Sequence, residues 1–127
     1  MRSLRILVVD DYADAATITS ELLSILGHTC RYALDAASAL TVAEELQPEV
    51  AILDIGMPHV SGLELAPRLR QIVRGPLTIA ALTGWGQAED RARSHAAGID
   101  LHVVKPASIT KLKNIVAFAE HQLRAAS

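Results

Sequence analysis

Polar side chains that could do chemistry directly follow four of five short apolar runs in this chain. They are Asp10 and Asp11 after the first run, Asp54 after the third, Thr83 after the fourth and Lys105 after the fifth. Carboxylates that converge repel one another, so they must bind protons or a cation. A hard divalent ion such as Mg²⁺ takes oxygen ligands, and ammonium and hydroxyl groups add donors for an oxyanion. Because an aspartate can attack phosphorus and form an acyl phosphate, these residue types predict phosphoryl chemistry.

The elements that must position these residues alternate between two sequence periods. Short continuous apolar runs are typical of strands buried on both faces of a parallel sheet. They lie at residues 4–9, 50–53, 77–82 and 101–104, with a weaker run at 28–33 that suits an edge strand. Five strand–helix units in this order predict an α/β fold with helices on both faces of the sheet. Ligands of such sheets bind beyond the carboxyl ends of the strands, which is where the polar residues lie.

Helical spacing of apolar residues separates the predicted strands. The apolar positions are Ile18, Leu22, Ile25 and Leu26, then Ala37, Leu40, Ala43 and Leu46, then Leu65, Leu69, Ile72 and Val73, and finally Ile109, Leu112, Ile115, Val116, Ala119 and Leu123. A polar stretch at residues 87–97, which stops at Gly98, predicts a fourth helix before the last strand. The tail helix is then the fifth.

Composition excludes several classes of protein. A chain of 127 residues, half of them hydrophobic, suits one domain with its own core, and the single Cys30 cannot form an internal disulfide. Twelve Lys and Arg against fourteen Asp and Glu give a net charge of -2 without a basic cluster, which argues against a nucleic-acid partner. No apolar run reaches the ~20 residues of a membrane span. We expect a cytoplasmic protein.

Other phosphate-binding motifs are missing from the sequence. Neither G-x-x-x-x-G-K-[ST] nor G-x-G-x-x-G follows the first strand, so no glycine-rich cradle for a nucleotide is expected.

Four longer motifs occur at the ends of these runs: VVDDY at residues 8–12, LDIGMPHVSG at 53–62, ALTGWG at 81–86 and HVVKP at 102–106. In this order and spacing the chain resembles the receiver domain of two-component response regulators. The resemblance covers nearly the whole chain. It implies one receiver domain over residues 1–127 with a doubly wound (βα)5 flavodoxin-like fold, in which a five-stranded parallel sheet of order 2-1-3-4-5 carries helices on both faces.

The resemblance also implies a set of site residues. They are the phosphoacceptor Asp54, the phosphoryl-binding residues Thr83 and Lys105, and the Mg²⁺ ligands Asp11, Asp54 and the carbonyl of Gly56, with Asp10 acting largely through water. A cis peptide is implied before Pro106. Three positions before the lysine the family usually has Tyr or Phe, whose ring rotates as a switch. This chain has His102 at that position, which keeps a planar ring.

The implied function is a phosphorylation switch. It would accept a phosphoryl group from a sensor histidine kinase or a histidine phosphotransfer protein, hydrolyse it slowly, and signal by protein contact or pass the phosphate on. It would be no enzyme beyond catalysing its own phosphorylation and dephosphorylation. The tail helix takes up the residues after Pro106, so we expect no DNA-binding output domain. The signal would then leave through the face of the fourth helix, fifth strand and fifth helix, which includes His95, Ala96, His102, Lys111 and Lys113.

Two other functions stay open, together with simpler roles for the acids. The chain could be a receiver-like binding module that is not phosphorylated, or a small Mg²⁺-dependent phosphatase. A D-x-D phosphatase of the haloacid dehalogenase type would need its acid/base aspartate two residues after Asp54, where this chain has Gly56. Asp10 and Asp11 could instead cap the first helix, and Asp54 could be an ordinary turn residue without a chemical role.

Overall fold

The structure, a computed structural model, describes residues 2–57, 60–84 and 96–126 of the chain. Its strands are β1 (Arg5–Val9), β2 (Thr29–Ala33), β3 (Val50–Asp54), β4 (Thr78–Thr83) and β5 (Leu101–Val104). Its described helices are α1 (Ala13–Ile25), α2 (Ala36–Leu46), α3 (Gly62–Ile72) and α4 (Ile109–Ala126), the last being the predicted tail helix. The predicted helix at residues 87–97 lies outside the described residues except for its last two positions.

The five strands form one parallel sheet in the order β2-β1-β3-β4-β5. This confirms the predicted order. Every residue of β3 and β4 is buried, which explains why these strands are continuous apolar runs in the sequence. The weaker run forms β2 at one edge of the sheet, and most of its residues are exposed.

Side chains of the inner strands alternate between two separate cores. In β3, Ala51 and Leu53 join one core, while Val50 and Ile52 join the other. Residues of α2 and α3 complete the first core, and Leu23 of α1 with four buried apolar residues of α4 completes the second. Helices therefore cover both faces, and each strand residue is assigned to one core by the two-residue period of the pleat.

The buried face of α1 differs from the predicted apolar spacing. Ile18 and Ile25 are 56% and 78% exposed, whereas the buried residues are Ala16, Thr19, Ser20 and Leu23. Small side chains on the inner face let the helix lie close to the sheet, and scattered apolar residues on a surface are common. None of the described helices is long and apolar enough to cross a membrane.

Arg70 connects α3 to the segment that enters β5. Its guanidinium donates hydrogen bonds to the carbonyls of Gly98 and Leu77 and to the carboxylate of Asp100. Asp100 in turn accepts a 2.7 Å bond from the backbone N–H of Ile79 in β4. These contacts fix the start of β5 against β4, so the carboxyl end of β5 reaches the same edge as the other strands.

Candidate functional site

The carboxyl edge of the sheet brings together the side chains that the sequence singled out. Asp54 is the last residue of β3, Thr83 the last of β4, and Asp10 and Lys105 directly follow β1 and β5. One carboxylate oxygen each from Asp10, Asp11 and Asp54 lies within 4.8 Å of the other two. Parallel strands end at the same edge, which is why residues so distant in sequence meet here.

Asp54 is buried and its carboxylate is held at one oxygen. Oδ1 accepts a 3.0 Å hydrogen bond from the N–H of Gly56 and lies 2.9 Å from the ammonium Nζ of Lys105. The first contact is a turn bond of the kind aspartates make with the backbone two residues on. Both contacts fall on Oδ1, and among the described residues none hydrogen-bonds or ion-pairs with Oδ2.

Asp10 is buried beside this carboxylate. Its N–H donates to the carbonyl of Ala33, and its Oδ1 accepts a 3.0 Å bond from the N–H of Tyr12. Burial raises the pKa of Asp10, and the charge of Asp54 raises it further, against the lowering effect of the Tyr12 bond. The N-cap of α1 is Tyr12, so the alternative in which Asp10 or Asp11 is the N-cap residue is wrong.

The acidic cluster fits a hard divalent cation. Three carboxylates in one small space, two of them buried, carry a mutual repulsion that a cation would relieve. Oxygen donors of this type are the ligands that Mg²⁺ prefers. Asp10, Asp11 and Asp54 are thus the residues that could hold the ion. The part expected of the Gly56 carbonyl stays a prediction.

Thr83 offers a buried hydroxyl at the same edge. Its side chain is fully buried, and within the described residues Oγ1 has no hydrogen-bond partner. A buried hydroxyl left unpaired costs ~1–3 kcal/mol, so a ligand that accepts a hydrogen bond from it would recover that energy. The Thr83 carbonyl accepts a 2.8 Å bond from the N–H of Lys105. The peptide between Lys105 and Pro106 is cis, as the resemblance implied.

A cavity of about 400 Å³ opens beside these residues. It is lined by Asp10 and Lys105, by Ile18 and Thr19 of α1, and by Pro106 among others. The site can therefore be reached from the side of α1.

Gly62 is a residue that sequence reasoning missed. It begins α3, and a Cβ at this position would lie 3.1 Å from Cα of Ile55 and 3.3 Å from the carbonyl oxygen of Asp54. Both atoms are backbone, so they cannot move aside as a flexible side chain could. Glycine here lets α3 lie against the backbone that carries Asp54. The sequence holds the signal only as a glycine eight residues after the aspartate.

The residues of the predicted output face occupy different environments. His102 is half-buried in β5, Ala96 is exposed, and Lys113 is exposed on α4. Lys111 differs from Lys113, because its ammonium donates a 2.6 Å hydrogen bond to the carbonyl of Val104. His95 lies outside the described residues.

Comparison with known proteins agrees with the fold. The response regulator receiver domain family matches residues 6–117. The sensor histidine kinase RcsC of Salmonella typhi is 30% identical over 95% of this chain. The uncharacterized 14.6 kDa protein in the sodA1 3′ region of Leptolyngbya boryana is 31% identical, over 91% of this chain and 89% of its own length. The chain belongs to the response regulator receiver domain family.

A solved structure extends the likeness to the whole fold. The response regulator receiver domain protein (CheY-like) from Methanospirillum hungatei JF-1 has a TM-score of 0.86 and 26% identity, covering 98% of this chain and 99% of its own. The lengths of other relatives differ greatly. This chain spans only 13% of RcsC. It spans 45% of the DNA-binding regulator RpaA of Synechocystis.

Proposed function

We propose that this protein is a phosphorylation switch whose phosphoacceptor is Asp54. The phosphoryl group would come from a sensor histidine kinase or a histidine phosphotransfer protein. The observation that carries the proposal is the 2.9 Å approach of the Lys105 ammonium to a buried carboxylate that has two further acids beside it. Lys105 alone would neutralise one of the three carboxylate charges. The two charges that remain would favour binding of a divalent cation.

The proposed reaction transfers a phosphoryl group between two side chains. Oδ2 of Asp54 attacks the phosphorus of a phosphohistidine, the P–N bond breaks with its electron pair on the imidazole nitrogen, and an acyl phosphate forms. The Thr83 hydroxyl donates a hydrogen bond to one phosphoryl oxygen, and the Lys105 ammonium moves from Oδ1 of Asp54 to another phosphoryl oxygen. Asp10, Asp11, Asp54 and the Gly56 carbonyl would hold Mg²⁺, which would neutralise charge on the transferring group.

Hydrolysis ends the signal. Water attacks the phosphorus of the acyl phosphate, inorganic phosphate leaves, and the carboxylate of Asp54 is restored. Gly56 stands where a D-x-D phosphatase would have its acid/base aspartate. The chemistry therefore serves the protein's own modification, and we do not assign an external substrate. We propose a cytoplasmic protein, in keeping with the compartment of kinases that would supply the phosphoryl group.

The proposal is tested with Mg²⁺ and acetyl phosphate, a small phosphodonor. Intact mass should increase by one phosphoryl group in the wild type and in Asp14→Asn, a control at an exposed acid of α1. Asp54→Asn should remain unmodified with its melting temperature preserved, because the amide keeps the shape of the side chain. An unmodified wild type would favour the binding module, and turnover of the donor without labelled protein would favour the phosphatase. Acyl phosphate on another residue of Asp54→Asn would refute the assignment.

The signal is proposed to leave through a face made by β5, the tail helix α4 and the helix predicted at residues 87–97. Phosphorylation can act there only by favouring one of two states of this face. Beryllofluoride, a phosphoryl analogue, should therefore shift amide NMR signals at residues 84–115 beyond those that touch the phosphoryl group. Shifts confined to the contacting residues would mean that the chain stores or passes phosphate without reporting it.

A further inference from the structure

Lys111 is bound to the backbone of the strand that ends at the site. Its Nζ donates a 2.6 Å hydrogen bond to the carbonyl of Val104, the last residue of β5. The contact spans seven residues of sequence and is partly buried. It closes the segment between β5 and α4 into a loop that contains Lys105.

The peptide unit between Val104 and Lys105 is consequently held at both ends. Its N–H donates a 2.8 Å bond to the carbonyl of Thr83, and its C=O accepts the bond from the Lys111 ammonium. The orientation of this peptide plane sets the direction in which the Lys105 side chain leaves the backbone. A cation on the carbonyl also polarises the amide and strengthens the bond that its N–H donates.

The position of Lys111 runs against the local preference of a helix. It is the third residue of α4, where its N–H bonds Oγ of Ser108, and the first turn of this helix contains no acidic residue. Cations are disfavoured at a helix N-terminus, where the macrodipole is positive. A residue that breaks a local rule needs a compensating contact, and for Lys111 that contact is the Val104 carbonyl.

We propose that Lys111 is a positioning residue for Lys105. By holding the Val104 carbonyl it aims the Lys105 ammonium at the carboxylate of Asp54 and at a phosphoryl group attached there. This inference rests on the proposed function, because it assigns Lys111 a part in phosphoryl binding at that same site. It also separates Lys111 from Lys113, whose side chain is exposed two residues further along α4.

The test is a double-mutant cycle on beryllofluoride affinity at saturating Mg²⁺. Lys111→Met keeps the aliphatic stem and removes the ammonium, and Lys113→Met makes the same change of charge at the exposed neighbour. We expect Lys111→Met to bind beryllofluoride about tenfold more weakly, the size of effect typical of residues that orient a ligand-binding group. Lys113→Met should bind as the wild type does. Lys111→Arg, which can still donate to the carbonyl, should keep most of the affinity.

Two readouts distinguish positioning from a loss of structure. The affinity for Mg²⁺ should be unchanged in Lys111→Met, because Lys105 contacts the phosphoryl group and not the ion. In a Lys105→Met background, Lys111→Met should cause no further loss of beryllofluoride affinity, since a residue that acts through another has no effect once the other is gone.

The outcomes separate this inference from the proposed function. An additive loss in the double variant, or unchanged affinity in Lys111→Met when Lys105→Met binds weakly, overturns the positioning role alone. Unchanged affinity in Lys105→Met overturns the role of Lys105 itself, and with it the inference about Lys111.

Discussion

Replacing Asp10 by Asn should stabilise the protein in the absence of divalent ions. The Asp10 carboxylate is buried, and one of its oxygens lies within 4.8 Å of carboxylate oxygens of Asp11 and Asp54. The amide of asparagine retains an oxygen that can accept the bond from Tyr12, so the turn before α1 is kept. The substitution therefore removes a charge and its repulsion without removing the hydrogen bond.

The size of the gain follows from the geometry. Two unit charges 4.8 Å apart repel by ~3.5 kcal/mol at an effective dielectric of 20, the value that suits partly buried pairs. The Lys105 ammonium, 2.9 Å from Asp54, offsets part of this repulsion, and Asp11 is exposed to screening solvent. We expect the free energy of unfolding to rise by ~1–2 kcal/mol, which for a domain of this size is a shift of roughly 3–8 °C in melting temperature.

The gain should depend on pH with a definite sign. Burial and the charge of Asp54 raise the pKa of Asp10 above its ordinary value of 3.8. A group of this kind contributes stability below its unfolded pKa and loses it as the pH rises through the folded pKa. The amide in Asp10→Asn does not titrate and undergoes no such loss. The difference between variant and wild type should therefore be absent in acid, grow as Asp10 ionises, and reach its full size at neutral pH.

The assay is thermal unfolding in EDTA and in Mg²⁺, from acid to neutral pH. Asp14→Asn is the control, because it removes an exposed acid of α1 outside the cluster. Mg²⁺ should raise the melting temperature of the wild type more than that of Asp10→Asn. A variant less stable than the wild type at neutral pH in EDTA, or a gain that persists in acid, would show that repulsion within the cluster is not the cause.

One further substitution and one alkylation reaction test other parts of the structure. Gly62→Ala should slow phosphorylation and lower the free energy of unfolding by ~1 kcal/mol through overpacking against the Asp54 backbone. The control is Gly75→Ala, because a Cβ there meets no atom of the described residues within 4 Å. Equal effects of the two substitutions would contradict this prediction. Burial raises the pKa of the Cys30 thiol to about 11, so iodoacetamide at pH ~8 should alkylate the folded protein ~100-fold more slowly than the urea-unfolded chain, as followed by intact mass. Similar rates in both states would mean that the thiol is exposed.

The sequence predicted the sheet well because its inner strands are buried on both faces. Residues 50–53 and 77–82 are almost entirely apolar, and no amphipathic helix has that pattern. The buried face of α1 could not be predicted in the same way. Ile18 and Ile25 lie seven residues apart and mark a regular stripe, yet the sheet accepts the side that carries Ala16 and Thr19. Which side packs is decided by the space above the sheet, and periodicity does not encode it.

The candidate site was predictable as a set of residue types and not as a set of contacts. Asp54 and Lys105 follow strands that must end at one edge, so their meeting follows from the topology. The bond from Lys111 to Val104 depends on the closure of a loop and on the extension of a long side chain. The close approach of Gly62 to Ile55 depends on how deeply α3 packs. Neither contact can be predicted from a periodic pattern in the sequence.

The alternation of β3 between two cores also constrains insertions and deletions. Continuing from Ile52, the pleat carries Asp54 to the side of the second core. Deleting one residue within β3 would exchange Ala51 and Leu53 with Val50 and Ile52, and it would point the carboxylate at the opposite face. Loops at the other end of the sheet can change length at small cost, since closing a longer loop costs little. The length of β3 is therefore fixed as firmly as the identity of the aspartate that ends it.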